Sequence, residues 1–139
     1  MIANRSMPDS TVIPELAYLD VAEAIEWLCE AFGFTLRLRI GVHRAQLNIG
    51  DGAMVATERR GRPGVRSDLA QSVMVRVEDV AAHHARAAEY GARILAPPAD
   101  HPYGERQYSV EDLGGHAWTF SQSLADVDPA SWGGEPGEL

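Results

Sequence analysis

Residues 19–34 read LDVAEAIEWLCEAFGF, and this stretch decides how the chain around it folds. Asp20 is a residue type that favours the N-cap of a helix, and Gly33 is one that ends a helix. Between them, apolar residues recur at positions i, i+3, i+4, i+7 and i+11, which is the spacing of one helical face. The stretch therefore predicts an amphipathic helix bounded by Asp20 and Gly33.

A second stretch repeats this arrangement about sixty residues later. Residues 78–92 read EDVAAHHARAAEYGA, with Asp79 at the N-cap position. Each helix follows one strand and precedes three more, and turn sequences at residues 48–52 and 109–115 join the last two strands. A unit present only twice indicates two paired modules, because a solenoid needs three or more units. The fold class predicted is α+β, with two paired βαβββ modules that enclose a cleft.

Alternation of apolar and polar residues locates the strands. The prolines of residues 96–104 predict a loop there. We expect one domain at residues 11–121, followed by an irregular C-terminal tail at 122–139. Its parts are module one at 11–58, a linker at 59–70 and module two at 71–121. The predicted strands are 12–19, 34–40, 45–49, 53–57, 72–77, 93–95, 106–111 and 116–121.

Composition excludes several classes of function. The chain has 139 residues and a net charge of −8, which disfavours nucleic acid because phosphates would be repelled. No stretch approaches 18 apolar residues, so we expect no membrane partner. Residues 1–11 lack the apolar core of a signal peptide, and Cys29 is the single cysteine. Both features favour a reducing compartment, and we expect the protein to be cytoplasmic.

Polar side chains out of phase with the apolar set are expected to line the cleft, which suits a ligand better than a dry core. Tyr103 and His101 lie on the predicted loop at its edge, and Tyr108 is included although its parity favours the core. The predicted ligand-binding residues are Arg37, Arg39, Gln46, Asn48, His101, Tyr103, Arg106, Gln107, Tyr108, Ser109, Glu111 and Thr119.

Two segments make residues 11–121 resemble the vicinal oxygen chelate superfamily. This superfamily contains glyoxalase I, extradiol dioxygenases, fosfomycin-resistance enzymes and bleomycin-resistance proteins. Residues 102–116, PYGERQYSVEDLGGH, are similar to its loop, strand and "DPDG" turn, with Leu113 where proline is usual. Residues 24–34, AIEWLCEAFGF, resemble its "FY…LGF" helix.

The resemblance also says where a metal would be held. Enzymes of the family bind a divalent metal through His, Gln or Glu on the first strand of each module and, in some, on the last. The motifs put these positions at Ile13 or Pro14, Ser72 or Val73, Ala56 or Glu58, and Thr119. Only Glu58 could bind a metal, and one carboxylate cannot supply the three or four protein ligands that a site needs. The resemblance therefore implies no metal, no other cofactor and no catalytic residue.

Three functions remain open. The first is a bleomycin-resistance-like protein that sequesters a small aromatic molecule without catalysis, with a cationic molecule favoured by the acidic chain. The second is a metal-dependent enzyme of the glyoxalase or dioxygenase type, with a displaced site built from Glu58 and a histidine. The third is a regulatory or subunit-like domain. In the first, which we favour, the partners are the small-molecule ligand and a second copy of the chain in a homodimer.

Overall fold

A computed structural model describes residues 2–59 and 71–137, so most of the predicted linker lies outside the described residues. The elements follow one another as a strand, a helix and three strands, twice, with a short 3₁₀ helix after them. Module one contains β1 (Glu15–Tyr18), α1 (Val21–Phe32), β2 (Thr35–Ile40), β3 (Arg44–Ile49) and β4 (Gly52–Glu58). Module two contains β5 (Ser72–Arg76), α2 (Val80–Glu89), β6 (Arg93–His101), β7 (Glu105–Glu111) and β8 (Ala117–Ser123), before the 3₁₀ helix Pro129–Trp132.

Each module forms one mixed four-stranded sheet. Sheet 1 has the order β1-β4-β3-β2, and sheet 2 has the equivalent order β5-β8-β7-β6. The first strand pairs parallel with the last in both sheets, and the other pairs are antiparallel. This architecture confirms the α+β class and the two βαβββ modules.

The predicted helix ends are confirmed by their caps. The Asp20 side chain accepts a hydrogen bond from the backbone of Glu23, and Gly33 ends α1 in the left-handed conformation. Asp79 caps α2 in the same way by accepting from Ala82. These bonds satisfy backbone donors that have no partner inside a helix.

Two strand predictions were wrong. Residues 96–101 belong to β6 and not to a loop; β6 is an edge strand, where the missing N–H groups of Pro97 and Pro98 are tolerated. In β2, the register shifts between Leu36 and Leu38, so an irregularity at Arg37 interrupts the expected alternation.

Both modules share one core. Phe32 at the end of α1 contacts the rings of Trp118 and Phe120 on β8, and α1 also packs against α2. The apolar side chains of both sheets that belong to this core point to the helix side. We call the other side of each sheet its open face. Within the described ranges, no helix has the length and hydrophobicity needed to span a membrane.

Candidate functional site

A directional series of hydrogen bonds crosses the open face of sheet 2. The Tyr103 hydroxyl donates to Oε1 of Gln107 at 3.0 Å, and Nε2 of Gln107 donates to the Ser121 hydroxyl at 3.1 Å. Ser121 in turn donates to the carboxylate of Glu105 at 2.7 Å. Bonds from Ser123 and Ser121 hold the pKa of Glu105 below its usual range. Because the series uses the Tyr103 and Ser121 hydroxyl donors internally, it presents the carboxylate oxygens of Glu105 to a ligand, with the charge of Arg76 nearby.

The rest of this face is also polar, with one apolar exception. The hydroxyls of Ser109 and Thr119 lie 2.9 Å apart, and Glu111 forms an ion pair with Arg93 at 3.7 Å. Met74 lies opposite Thr119 in the β5–β8 register and is 63% exposed. This side chain gives the polar surface an apolar patch on which a flat ring could pack.

Three aromatic rings stand at one end of sheet 2. The rings of His101 and Tyr103 stack with centroids 5.1 Å apart, and the Trp132 ring lies 5.4 Å from that of Tyr103. The C-terminal segment reaches this place by crossing Gly104, whose carbonyl accepts from the backbone of Leu124. The tail of the chain therefore completes an aromatic cluster beside the polar open face.

The open face of sheet 1 is donor-rich. Arg37 donates to Oε1 of Gln46, and both side chains also donate to backbone carbonyls of the N-terminal segment, residues 4–8. Asn48 donates from its amide to the Thr35 hydroxyl at 3.2 Å. Arg37, Gln46 and Asn48 are thus on one face, as predicted, but the chain's own N-terminus covers the first two.

Three predicted residues lie away from the open faces. Arg106 alternates to the other side of β7 and forms an ion pair with Asp100 at 2.7 Å. Arg39 stands in register with Ala45, whose side chain is in the core, because the irregularity in β2 shifted the alternation. Tyr108 is 1% exposed and belongs to the core, as its parity indicated.

The buried Tyr108 has a specific partner. Nε2 of His83 lies 3.1 Å from the carbonyl of Phe32, which can only accept, so Nε2 carries the proton. Nδ1 of His83 then accepts from the Tyr108 hydroxyl. Burial lowers the pKa of His83 to about 4 and raises the pKa of Tyr108. This pair ties α2 to α1 and to β7 on the helix side of sheet 2.

A cavity of about 680 Å³ lies at the seam between β1 and β5. Its lining includes Glu15, Ala17, Ser72 and His116, and none of the twelve predicted ligand residues. Nε2 of His116 donates to the carbonyl of Ala17 at 2.8 Å, which joins the modules beside the cavity.

The open-face positions on the first and last strands offer a metal a single carboxylate, Glu15. The strand registers change the expected metal positions in module one. The strand β1 begins at Glu15, after the expected positions at Ile13 and Pro14. In β4, the side chains of Val55 and Thr57 point to the open face, whereas those of Ala56 and Glu58 point to the helix side. In module two, Thr119 and Ser72 are on the open face, as expected. In the part of the chain that the structure describes, no three His, Cys, Asp or Glu side chains are grouped to hold a metal ion.

Sequence reasoning missed several residues of these surfaces. Glu105 shares the parity of Gln107 and Ser109 on β7, and Met74 shares that of Ser72, an expected metal position on β5, so the alternation could have found both. Trp132 and the N-terminal segment lie outside the predicted domain. No local signal connects them to the faces they contact.

The comparisons agree with this architecture. The sequence model of the Glyoxalase/Bleomycin resistance protein/Dioxygenase superfamily matches residues 12–120. TioX from Micromonospora sp. ML1 is 36% identical in sequence, with a TM-score of 0.68 over 86% of this chain and 100% of TioX. A search of curated proteins found no match.

More distant structures share the fold alone. A glyoxalase-related enzyme from Fulvimarina pelagi is 18% identical, with a TM-score of 0.66 over 83% of this chain and 88% of that one. The fosfomycin resistance protein FosX from Listeria monocytogenes, in complex with Mn(II) and 1S,2S-dihydroxypropylphosphonic acid, is 13% identical, with a TM-score of 0.68 over 84% and 92%. The family model covers most of the chain, and TioX matches this chain over its full length. The protein therefore belongs to the glyoxalase/bleomycin resistance protein/dioxygenase superfamily.

Proposed function

We propose that the protein binds a small, planar, cationic aromatic molecule and does not transform it. The observation that carries this proposal is the pairing of an acceptor-rich face with an aromatic cluster on sheet 2. Glu105 supplies a carboxylate there, with Arg76 near it, Glu111 pairs with Arg93, and Tyr103 supplies an aromatic ring beside the strands. Aromatic faces attract cations, and a chain of net charge −8 favours a cationic ligand over an anionic one.

The side chains at the positions where family enzymes hold a metal also support binding without catalysis. Among the open-face positions on the first and last strands, Glu15 is the one carboxylate, and it forms an ion pair with Arg44, while Thr57, Ser72, Met74 and Thr119 are not usual ligands for a catalytic metal. The side chain of Glu58, which was the expected ligand of a displaced metal site, lies on the helix side of β4. We therefore derive no metal-dependent step for this chain.

A homodimer is part of this proposal. The helices cover only one side of each sheet, so the open face that the N-terminal segment leaves free is available to a ligand or to a second subunit. Met74 at 63% exposure is an apolar side chain on such a face. The edge strands at the other ends of the sheets, β2 and β6, are also surfaces that a second copy could cover.

Fluorescence titration with acridine orange, a planar cationic dye, tests the proposal in protein treated with EDTA. We expect saturable binding that weakens with salt, because exposed charge pairs are screened. Tyr103→Ala should weaken it by about two- to tenfold, since ring stacking typically contributes about 0.5–1.5 kcal/mol. Tyr103→Phe is the matched control that keeps the ring, and Glu111→Gln tests the charge.

Two results would contradict the proposal. Dye binding that both Tyr103→Ala and Glu111→Gln leave intact would put the ligand elsewhere. Elemental analysis giving near one transition metal per chain, lost in Glu58→Ala, would favour the enzyme of the glyoxalase or dioxygenase type.

A further inference from the structure

The N-terminal segment is held on sheet 1 through three consecutive backbone carbonyls. Nη2 of Arg37 donates to the carbonyl of Arg5 at 3.0 Å and to that of Met7 at 2.9 Å. Between them, Nε2 of Gln46 donates to the carbonyl of Ser6 at 2.9 Å. All three contacts are made to peptide oxygens, so this recognition does not read the side chains of the segment.

The two donors are held in a fixed arrangement. A guanidinium has no acceptor, so the amide oxygen of Gln46 must face Arg37 and its NH₂ group must face the segment. Gln46 is 3% exposed, which leaves its side chain little freedom to rotate away. The register shift in β2 occurs at Arg37 itself, at the point where the strand would otherwise continue its regular alternation.

An apolar floor lies beside these donors. Val55 and Ala53 stand opposite Gln46 and Asn48 on β4, on the face away from the helices, yet they are only 4% and 6% exposed. Pro8 of the segment is buried as well. A row of fixed donors next to a covered apolar strip is how proteins bind an extended peptide.

We propose that the open face of sheet 1 is a binding site for peptide-like ligands, meaning chains with successive amide carbonyls, and that residues 4–8 are its internal occupant. A ligand that enters this face has to displace the segment. The inference rests on the proposed function, because it assigns the carbonyl-bearing part of the ligand to sheet 1 and leaves the aromatic part to sheet 2. The donor-rich face and the acceptor-rich face thereby take chemically different parts of one molecule.

The tether makes the internal occupant a strong competitor. A segment joined by a few residues competes at an effective concentration on the order of millimolar. The apparent affinity for an external peptide equals the intrinsic affinity multiplied by the fraction of molecules whose site is open. Weakening the segment without touching Arg37 or Gln46 should therefore strengthen external binding.

The experiment uses the full-length chain and a fluorescein-labelled peptide of residues 2–10, IANRSMPDS, in fluorescence polarisation. Pro8→Gly removes the buried ring from the segment and should bind the peptide about fivefold tighter than the parent, because fewer sites are occupied internally. Asp9→Gly adds the same backbone freedom at an exposed neighbour, and it should change the affinity less.

Arg37→Leu combined with Pro8→Gly should abolish peptide binding, whereas Arg39→Leu in the same background should keep it, because Arg39 alternates to the other side. Gln46→Glu is the second site variant, for the case that Arg37→Leu fails to fold. It keeps an oxygen that accepts from Arg37, but it puts a second acceptor oxygen where the amide NH₂ donated to the carbonyl of the segment. It should therefore also abolish peptide binding. Equal peptide affinity in the parent and Pro8→Gly, or binding that survives both site variants, would overturn the inference. Acridine orange separates the two proposals: dye binding without peptide binding refutes only the inference, and peptide binding without dye binding refutes only the aromatic site on sheet 2.

Discussion

The Tyr18 hydroxyl donates a hydrogen bond of 2.8 Å to Oδ2 of Asp112, and the two residues are ninety-four positions apart in the sequence. Burial and the nearby carboxylate raise the pKa of Tyr18 well above its usual range, so the hydroxyl keeps its proton. The same carboxylate oxygen accepts from Nε1 of Trp118, while Oδ1 accepts from the backbones of Gly114 and His116. Asp112 thus joins the end of β1 in one module to the last turn of the other.

Replacing this carboxylate should destabilise the protein strongly. Asp112→Ala leaves the buried donors of Tyr18 and Trp118 without a partner, at a cost of about 1–3 kcal/mol each. We expect the free energy of unfolding in urea to fall by about 3 kcal/mol or more. Tyr18→Phe removes one donor and leaves Asp112 with three, so it should cost only about 1 kcal/mol. Equal losses in the two variants would mean that Asp112 does not join the modules.

Acid should weaken the fold through His83. Burial lowers its pKa to about 4 when folded, Arg86 also lowers it, and the bond to Phe32 opposes them. The unfolded chain, with an ordinary pKa near 6.5, therefore binds more protons than the folded one in the pH range between about 4 and 6.5. Stability from this group is present above pH 6.5 and is lost as the pH falls toward 4.

Thermal unfolding between pH 7 and pH 4 measures this effect. His83→Gln should flatten the dependence of the unfolding temperature on pH in that interval. His84→Gln is the neighbouring control and should keep the slope of the parent. A slope that His83→Gln leaves unchanged would assign the acid sensitivity to other groups.

Gly104 should be far less tolerant of substitution than another glycine of similar conformation. Its φ is +83°, and an added Cβ would lie 2.6 Å from the carbonyl oxygen of Ala125 and 2.8 Å from Cγ2 of Val127. Gly91 has φ +79° and nothing within 4 Å of the same position. Gly91→Ala should therefore cost only the backbone strain, about 1–2 kcal/mol, and Gly104→Ala clearly more.

The same substitution tests the position of the C-terminal segment. Because residues 124–127 cross the hairpin at Gly104, Gly104→Ala should move Trp132 away from Tyr103 and change tryptophan emission. Gly91→Ala should leave the emission unchanged. If both variants lose equal stability with unchanged emission, the segment does not pack on this hairpin.

Self-association is the fourth expectation. Sedimentation equilibrium at micromolar concentration should give a mass near twice the 15.1 kDa of one chain, because Met74 is exposed on the open face of sheet 2 and a second copy can cover the edge strands β2 and β6. A dilution series should show the dimer dissociating to the chain mass. A single species of 15.1 kDa at all concentrations would rule out the homodimer.

Much of the fold could be predicted because its signals are local. Asp20 and Asp79 cap helices through bonds to residues three positions away, and this geometry repeats wherever a helix begins with such a residue. Alternation likewise placed Gln107, Ser109 and Thr119 on one face of sheet 2, since successive side chains of a strand point to opposite sides.

The sequence by itself therefore determined the two modules, their helices and most of the polar face of sheet 2. Only the tertiary structure decided that Arg37 and Gln46 bind the N-terminal segment, that Trp132 joins Tyr103, and that the shift in β2 turns Arg39 away. These outcomes depend on contacts between residues distant in sequence and on the register of neighbouring strands. Such contacts form only after the sheets have assembled, so no pattern within a short window of residues records them.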